Sequence, residues 1–283
     1  MEIPAAGNTG LLTEGLPGRT LNLQFTLINN KIQLIDSNDI LSGNPNTVTP
    51  GKTFEKMYIA SRRKESRVYS DDQVVLLPSI ETSHVHYHEW QVRKRSASRL
   101  FKYLENKDAP RSILEVGCGN GWLSAKLAEL KNSNVTGIDI NSVELYQAKK
   151  VFSDRINMNF AEGDLENAVL ECKFDAIVFA ASIQYFRFFD QVIGKALTLL
   201  NHKGEIHILD SQFYHDKDLE QARMRSQSYY DSIGYGEMAK FYFHHRLDSI
   251  KKFQYKLLYN PSSIKNRIFS KRDPFPWLRI SNI

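Results

Sequence analysis

From Arg111 onward short apolar, β-rich runs alternate with helical patterns, and that alternation leaves few folds open. "SILEVG" gives way to "GWLSAKLAELK", "NVTGIDI" to "SVELYQAKKVF", and "INMNFAEGD" follows. Parallel strands need a crossover, usually a helix, so this order implies the α/β class: a parallel sheet with helices on both faces. "KFDAIVFAAS" supplies a fourth strand whose near-continuous apolar run suits burial on both faces. "EIHILD" supplies a fifth, after a helix ending near "ALTLLNHKG", where Gly204 is placed to stop that helix. Beyond Asp210 the chain turns helical, polar and aromatic, which reads as an insertion over the top of the sheet. "QYKLLYNP" and "PFPWLRIS" then bring the strands to seven, the last at the C-terminus.

The 283 residues suffice for one large core with additions at its ends. Residues 1–78, rich in turn formers, read as an N-terminal extension with a small β-rich region. A hairpin is expected at "LNLQFTLINNKIQLID", with Asn29 and Asn30 in its turn. Residues 79–283 read as the main domain: a lid helix over 84–104, a core over 111–210, the aromatic helical insertion over 211–250 and the last strands over 254–281. No apolar stretch approaches the length of a membrane span, and the N-terminal segment does not read as a secretory signal, so a cytoplasmic location is expected. The two cysteines, Cys118 and Cys172, give neither a disulfide framework nor a metal spacing, and no metal is expected. The 37 basic and 32 acidic residues leave +5, too little to indicate nucleic acid, and "SRRKES" and "VRKRSASR" read as solvated faces.

"EVGCGNGW" joins the first strand to its helix. Glycines there allow close approach of a ligand to backbone N–H groups at a helix N-terminus. A dinucleotide fingerprint, G-x-G-x-x-G, would need its third glycine where Trp122 stands, because the glycine falls one residue early at Gly121. A Walker loop is excluded by the missing Gly-Lys-Ser/Thr. Glu115, two residues before Gly117, would repel a pyrophosphate and suit a cationic amino group. Asp139 ends the second strand, where an acid can accept from both hydroxyls of a ribose. Asp164, at the end of the third, can accept from the exocyclic amine of an adenine. An adenosine with a cationic amino-acid tail satisfies all three acids.

As a set, "EVGCGNG", "GIDIN", "EGDL" and "FDAIVFAAS" resemble, in order and spacing, the motifs of the class I S-adenosylmethionine-dependent methyltransferases. The resemblance covers roughly residues 111–210. It implies a Rossmann-like seven-stranded methyltransferase sheet and S-adenosyl-L-methionine as cofactor. It also implies that Gly117, Gly119 and Gly121 line the methionine part, Asp139 takes the ribose, Ile140 packs under the adenine, and Asp164 with Leu165 holds the adenine edge. Glu115 and Ala180 complete the expected cofactor set.

Methyl transfer asks the protein for orientation, a dry pocket and, for some acceptors, a base. The segment after the fourth strand, "AASIQYF", lacks the Asp/Asn-Pro-Pro-Tyr/Phe motif of nucleobase-amine methylation. A nucleophilic cysteine and a paired-glutamate motif are missing too. A small-molecule acceptor, methylated at oxygen, nitrogen or carbon, is the remaining expectation. An RNA- or protein-directed enzyme, a non-catalytic cofactor-binding protein of the same fold and a nicotinamide dehydrogenase are the rivals. His88, Gln184, Tyr185 and His244 are the candidate catalytic residues, with His84, His86 and His245 nearby in sequence; surface or seam roles compete for every histidine. Arg93 is a candidate for the cofactor carboxylate, with a surface ion pair as the alternative. Tyr229, Tyr230, Tyr235, Phe241, Tyr242 and Phe243 would either roof an apolar acceptor pocket or bury the insertion.

Overall fold

A computed structural model of the chain describes residues 23–28, 31–36, 50–107, 112–166, 168, 170, 172–264, 266 and 273–282. Two short strands, β1 (Leu23–Ile28) and β2 (Lys31–Asp36), pair antiparallel from Leu23↔Asp36 to Ile28↔Lys31. The expected turn at Asn29 and Asn30 lies outside the described residues. Three helices come next: α1 (Pro50–Lys64), α2 (Asp71–Leu76) and α3 (Tyr87–Glu105). α1 stops where Ser66 enters the left-handed region at φ 58, with Ser66 N–H donating to Arg63 O and Arg67 N–H to Arg62 O, which satisfies the last carbonyls.

The alternating section follows as β3 (Ser112–Val116), α4 (Trp122–Leu127), β4 (Asn134–Asp139), α5 (Ser142–Val151), β5 (Met158–Glu162), β6 (Phe174–Ala180), α6 (Phe189–Thr198) and β7 (Leu200–Leu209). After β7 come β8 (Phe213–Tyr214), α7 (Asp216–Ser232), β9 (His245–Arg246), β10 (Tyr255–Tyr259) and β11 (Trp277–Ser281). The seven-stranded sheet runs β10-β11-β7-β6-β3-β4-β5, with β11 antiparallel to both neighbours and the other pairings parallel. This is the expected seven-stranded α/β architecture.

Period-two alternation divides its core. Ile113, Ala176 and Val178 face one way, with Trp90 and Leu100 of α3 and Leu145 of α5. Leu114, Ile177, Phe179, Ile206 and Ile208 face the other, where α6 buries Phe189, Val192, Ile193 and Ala196 at the i, i+3, i+4, i+7 spacing of one helical stripe. Burial on both sheet faces explains why these strands read as continuous apolar runs.

Two expectations need correction. Gly204 does not stop α6, which ends at Thr198; it lies inside β7, where the pairing with β6 shifts register and a Cβ would stand 2.9 Å from the Phe174 carbonyl oxygen. A register shift that presses backbone on backbone, rather than a helix cap, accounts for the glycine. The basic clusters are not simply solvated: Arg95 and Arg99 both bind Asp273, which is 1% exposed, and Arg93 binds Glu89. The segment after β7 combines α7 with a 3-10 turn at Gly236–Phe241 and the parallel β8–β9 pair.

Candidate active site

One cavity of about 340 Å³ opens at the C-terminal ends of β3, β4 and β6, within the usual size range of small-molecule sites. This is the edge where the strand order reverses and where open α/β sheets bind ligands.

Its floor is the loop after β3, and there the backbone is already committed. Gly117 and Cys118 N–H donate to Ile138 O, Gly119 N–H donates to Asp139 Oδ2 at 2.8 Å, and Gly121 N–H donates to Cys118 O. Four of the loop's N–H groups are thus engaged within the protein, three of them tying the loop to the end of β4, and carboxylates stand around it. The second oxygen of Asp139 accepts from Asn141 N–H at 2.8 Å. Burial pushes the Asp139 carboxyl up, against these backbone donors. Glu115 is 2% exposed and accepts from Ser124 Oγ of α4; burial lifts its carboxyl to about 8.

The glycines serve different neighbours. At Gly117, φ 73, a Cβ would stand 2.5 Å from Cβ of Ser182, whose hydroxyl donates to Val116 O and locks the loop after β6 onto β3. At Gly121, φ 77, it would stand 2.5 Å from Cζ of Phe160 in β5. Gly121 does not line the cavity, because Phe160 and Ala148 fill that side. Trp122, in place of a third fingerprint glycine, does line it, packed edge-on against Trp90 at 5.2 Å.

Glu115, Gly117, Gly119, Asp139, Ile140, Asp164, Leu165 and Ala180 all line the cavity. Of the catalytic candidates only Tyr185 does. Gln184 is turned into a brace, its Nε2 donating to Ala181 O and its Oε1 accepting from Ser211 Oγ, which joins the loops after β6 and β7. His88 is exposed on α3. His244 bonds Ser226 Oγ and stacks on Tyr214 and Tyr242, and burial lowers it to about 4. His245 bonds Ile183 O, and His86 bonds Glu65 O at the seam of α1 and α3. Arg93 lines the cavity while donating twice to Glu89. Burial opposes the Glu89 charge, but Arg93 and Arg67 together hold its carboxyl down at about 2.

Sequence reasoning missed three groups. Phe54, Tyr58 and Arg62 stand on one face of α1 and line the cavity. Their i, i+4, i+8 spacing in "FEKMYIASR" was the available signal. Glu144 of α5 also lines it, its Oε2 3.3 Å from where a Gly119 Cβ would be, and burial lifts it to about 7. Asn141, the α5 N-cap, accepts from Val143 and Glu144 N–H, while its buried Nδ2 has no partner among the described residues. Of the insertion aromatics only Phe241 reaches the cavity; Tyr242 packs edge-on against Tyr185, and Tyr230 is tilted against Tyr242. Among the described residues no helix is long and apolar enough to cross a membrane, and no group of three or more potential ligands could hold a metal ion.

A methyltransferase domain model matches residues 107–260. The malonyl-[acyl-carrier protein] O-methyltransferase 1 of Ilyobacter polytropus is 33% identical over 117 residues, 41% of this chain and 44% of that protein. The corresponding enzyme of Halalkalibacterium halodurans is 30% identical over 128 residues, 42% and 47% of the two. The matches thus span about half the length of these relatives. Magnesium protoporphyrin IX methyltransferase from Synechocystis PCC 6803, solved with bound S-adenosylhomocysteine, shares the fold at TM-score 0.52 and 14% identity, over 81% of this chain and 98% of its own. The plantazolicin methyltransferase BpumL does so at TM-score 0.50 and 17% identity, over 82% and 98%. The model's match spans more than half of the chain, and the chain belongs to the methyltransferase domain family.

Proposed function

We propose that the protein is an S-adenosylmethionine-dependent methyltransferase that methylates an oxygen, nitrogen or carbon atom of a small molecule. The observation that carries this reading is the set of acids at the strand ends: Asp139, fixed by Gly119 and Asn141, with Glu115 and Asp164 in one cavity. The donor set fits such a cofactor. Glu115, buried beside no cation among the described residues and lifted to about 8, gains a counter-charge when an ammonium group arrives. Asn141 Nδ2 gains the acceptor it lacks. Asp139 presents a fixed carboxylate to a diol, Ile140 and Leu165 supply flat apolar walls, and Asp164 takes an exocyclic amine.

When bound, S-adenosylmethionine supplies a methyl group on a positively charged sulfur. The chain's part is to orient donor and acceptor and to exclude water, which Trp122, Tyr58, Tyr185 and Phe241 do along the cavity walls. The relatives named for O-methylation of a malonyl-carrier protein favour oxygen among the three atoms. Calorimetric titration with S-adenosylhomocysteine and with NAD tests the reading. Saturable binding of the first alone is expected; a preference for NAD would overturn it.

A further inference from the structure

Part of the cavity wall is a cluster of rings. Phe54 and Tyr58 of α1, Tyr185 after β6 and Phe241 before β9 meet in a box, with centroids 5.4 Å (Phe54–Phe241), 5.5 Å (Phe54–Tyr58), 5.6 Å (Tyr58–Tyr185) and 5.7 Å (Phe54–Tyr185) apart. Such a box alone would suit a flat apolar body or a cation over the ring faces. Arg62 decides between them. Its guanidinium lies over the Tyr58 ring at 4.8 Å and takes the cation's place, while Nη1 holds Glu65 at 3.3 Å. Glu65 and Glu144 stand near this guanidinium, and its remaining N–H donors offer a carboxylate a planar, bidentate partner that a cation would not find.

Few groups here could serve as a base. No histidine or lysine is among the described residues lining the cavity. Glu115 is engaged by Ser124, and burial pushes the Tyr58 hydroxyl and the Cys118 thiol well up, which leaves Glu144, lifted to about 7, as the group that could take a proton near neutral pH. An acceptor that arrives already ionised needs none of them.

Resting on the methyltransferase reading above, we infer that the ring box and Arg62 form the acceptor subsite, and that the acceptor is a planar, apolar carboxylate methylated on its own carboxylate oxygen. A lone pair of that oxygen forms the new C–O bond, the S–CH3 bond breaks with its electron pair going to sulfur, and the products are a methyl ester and a neutral thioether. No proton is released, so no base is called for. Arg62 orients the carboxylate, and the rings hold the body in line.

The test uses the full chain, S-adenosylmethionine and a panel of benzoate, cinnamate and 2-naphthoate set against the matching amides, phenols and amines. Methyl-ester formation is read by mass spectrometry, and S-adenosylhomocysteine binding is measured separately. The carboxylates should be turned over preferentially, with a rate flat in pH above the acceptor's own pKa, and Arg62→Gln should raise their KM about tenfold or more while S-adenosylhomocysteine binding stays within about twofold. Three results would overturn the inference while leaving the cofactor reading standing. These are preference for phenols or amines, a rate rising through neutral pH as Glu144 loses its proton, or an Arg62→Gln variant that binds S-adenosylhomocysteine and turns over carboxylates like the parent. Failure of the parent protein to bind S-adenosylhomocysteine would remove both.

Discussion

The two ends of the cavity are built by different means. The glycine-loop end consists of consecutive strand ends, with loop N–H groups tied to β4 and carboxylates turned inward; its residues fall within β3, β4 and the turns that follow them. The ring end is assembled from α1, the loop after β6 and the turn before β9, segments far apart in the chain and joined by edge-to-face rings. Hydrogen bonds to fixed backbone give the first end its precision, and apolar contact gives the second its shape. Changes at the first end should therefore strike cofactor binding or folding, and changes at the second should strike the acceptor.

The largest effect is expected at Gly121. Alanine there meets Phe160 at 2.5 Å with φ at 77, so Gly121→Ala should destabilise the fold by about 2–4 kcal/mol, checked by urea denaturation. Gly194→Ala, in α6 with nothing within 4 Å, is the control and should stabilise by about 0.5–1 kcal/mol. Asp139→Ala should weaken S-adenosylhomocysteine binding by roughly 10- to 100-fold in calorimetry, since a charged acceptor is lost and the Gly119 and Asn141 N–H groups lose their partner. Equal affinity would mean that the loop end is not the cofactor end, and the contrast would collapse.

Phe54→Ala sharpens the other half. It removes a ring that touches Tyr58, Tyr185 and Phe241, and acceptor KM should rise about tenfold with S-adenosylhomocysteine affinity unchanged. Matching losses in both would show one undivided site.

The smallest effect is in pH. Burial lifts Glu115 from 4.5 to about 8, so across that window the unfolded chain has released a proton that the native chain keeps. Stability of the ligand-free protein should then be greatest, in respect of this group, below the window and decline as pH rises through it. Glu115→Gln should flatten the decline in a series of thermal melts. Binding of S-adenosylhomocysteine should release protons near neutral pH, visible as a dependence of the calorimetric heat on buffer ionisation enthalpy.

Legibility followed the same division. "EVGCGNG", "GIDIN" and "EGDL" could be read because residues that act together there are close in sequence and sit at strand ends whose period is unmistakable. Gln184 and His244 looked like candidates because a polar residue at the right loop carries no mark of direction. Only packing showed the Gln184 amide bracing two loops and the His244 ring stacked behind the roof. α1 went unread since an i, i+4, i+8 face of Phe54, Tyr58 and Arg62 is equally a core stripe until its partners are known.

What the chain determined by itself was the α/β alternation, the strand count and the acids at the strand ends, all products of local periodicity and of one-residue spacing in a tight loop. Tertiary structure alone decided that loop N–H groups bond to β4, that Gly121 packs against Phe160, and that Tyr58, Tyr185 and Phe241 share one box. Those outcomes depend on contacts between segments that no local pattern encodes, and on burial, which sets how strongly each charge is held.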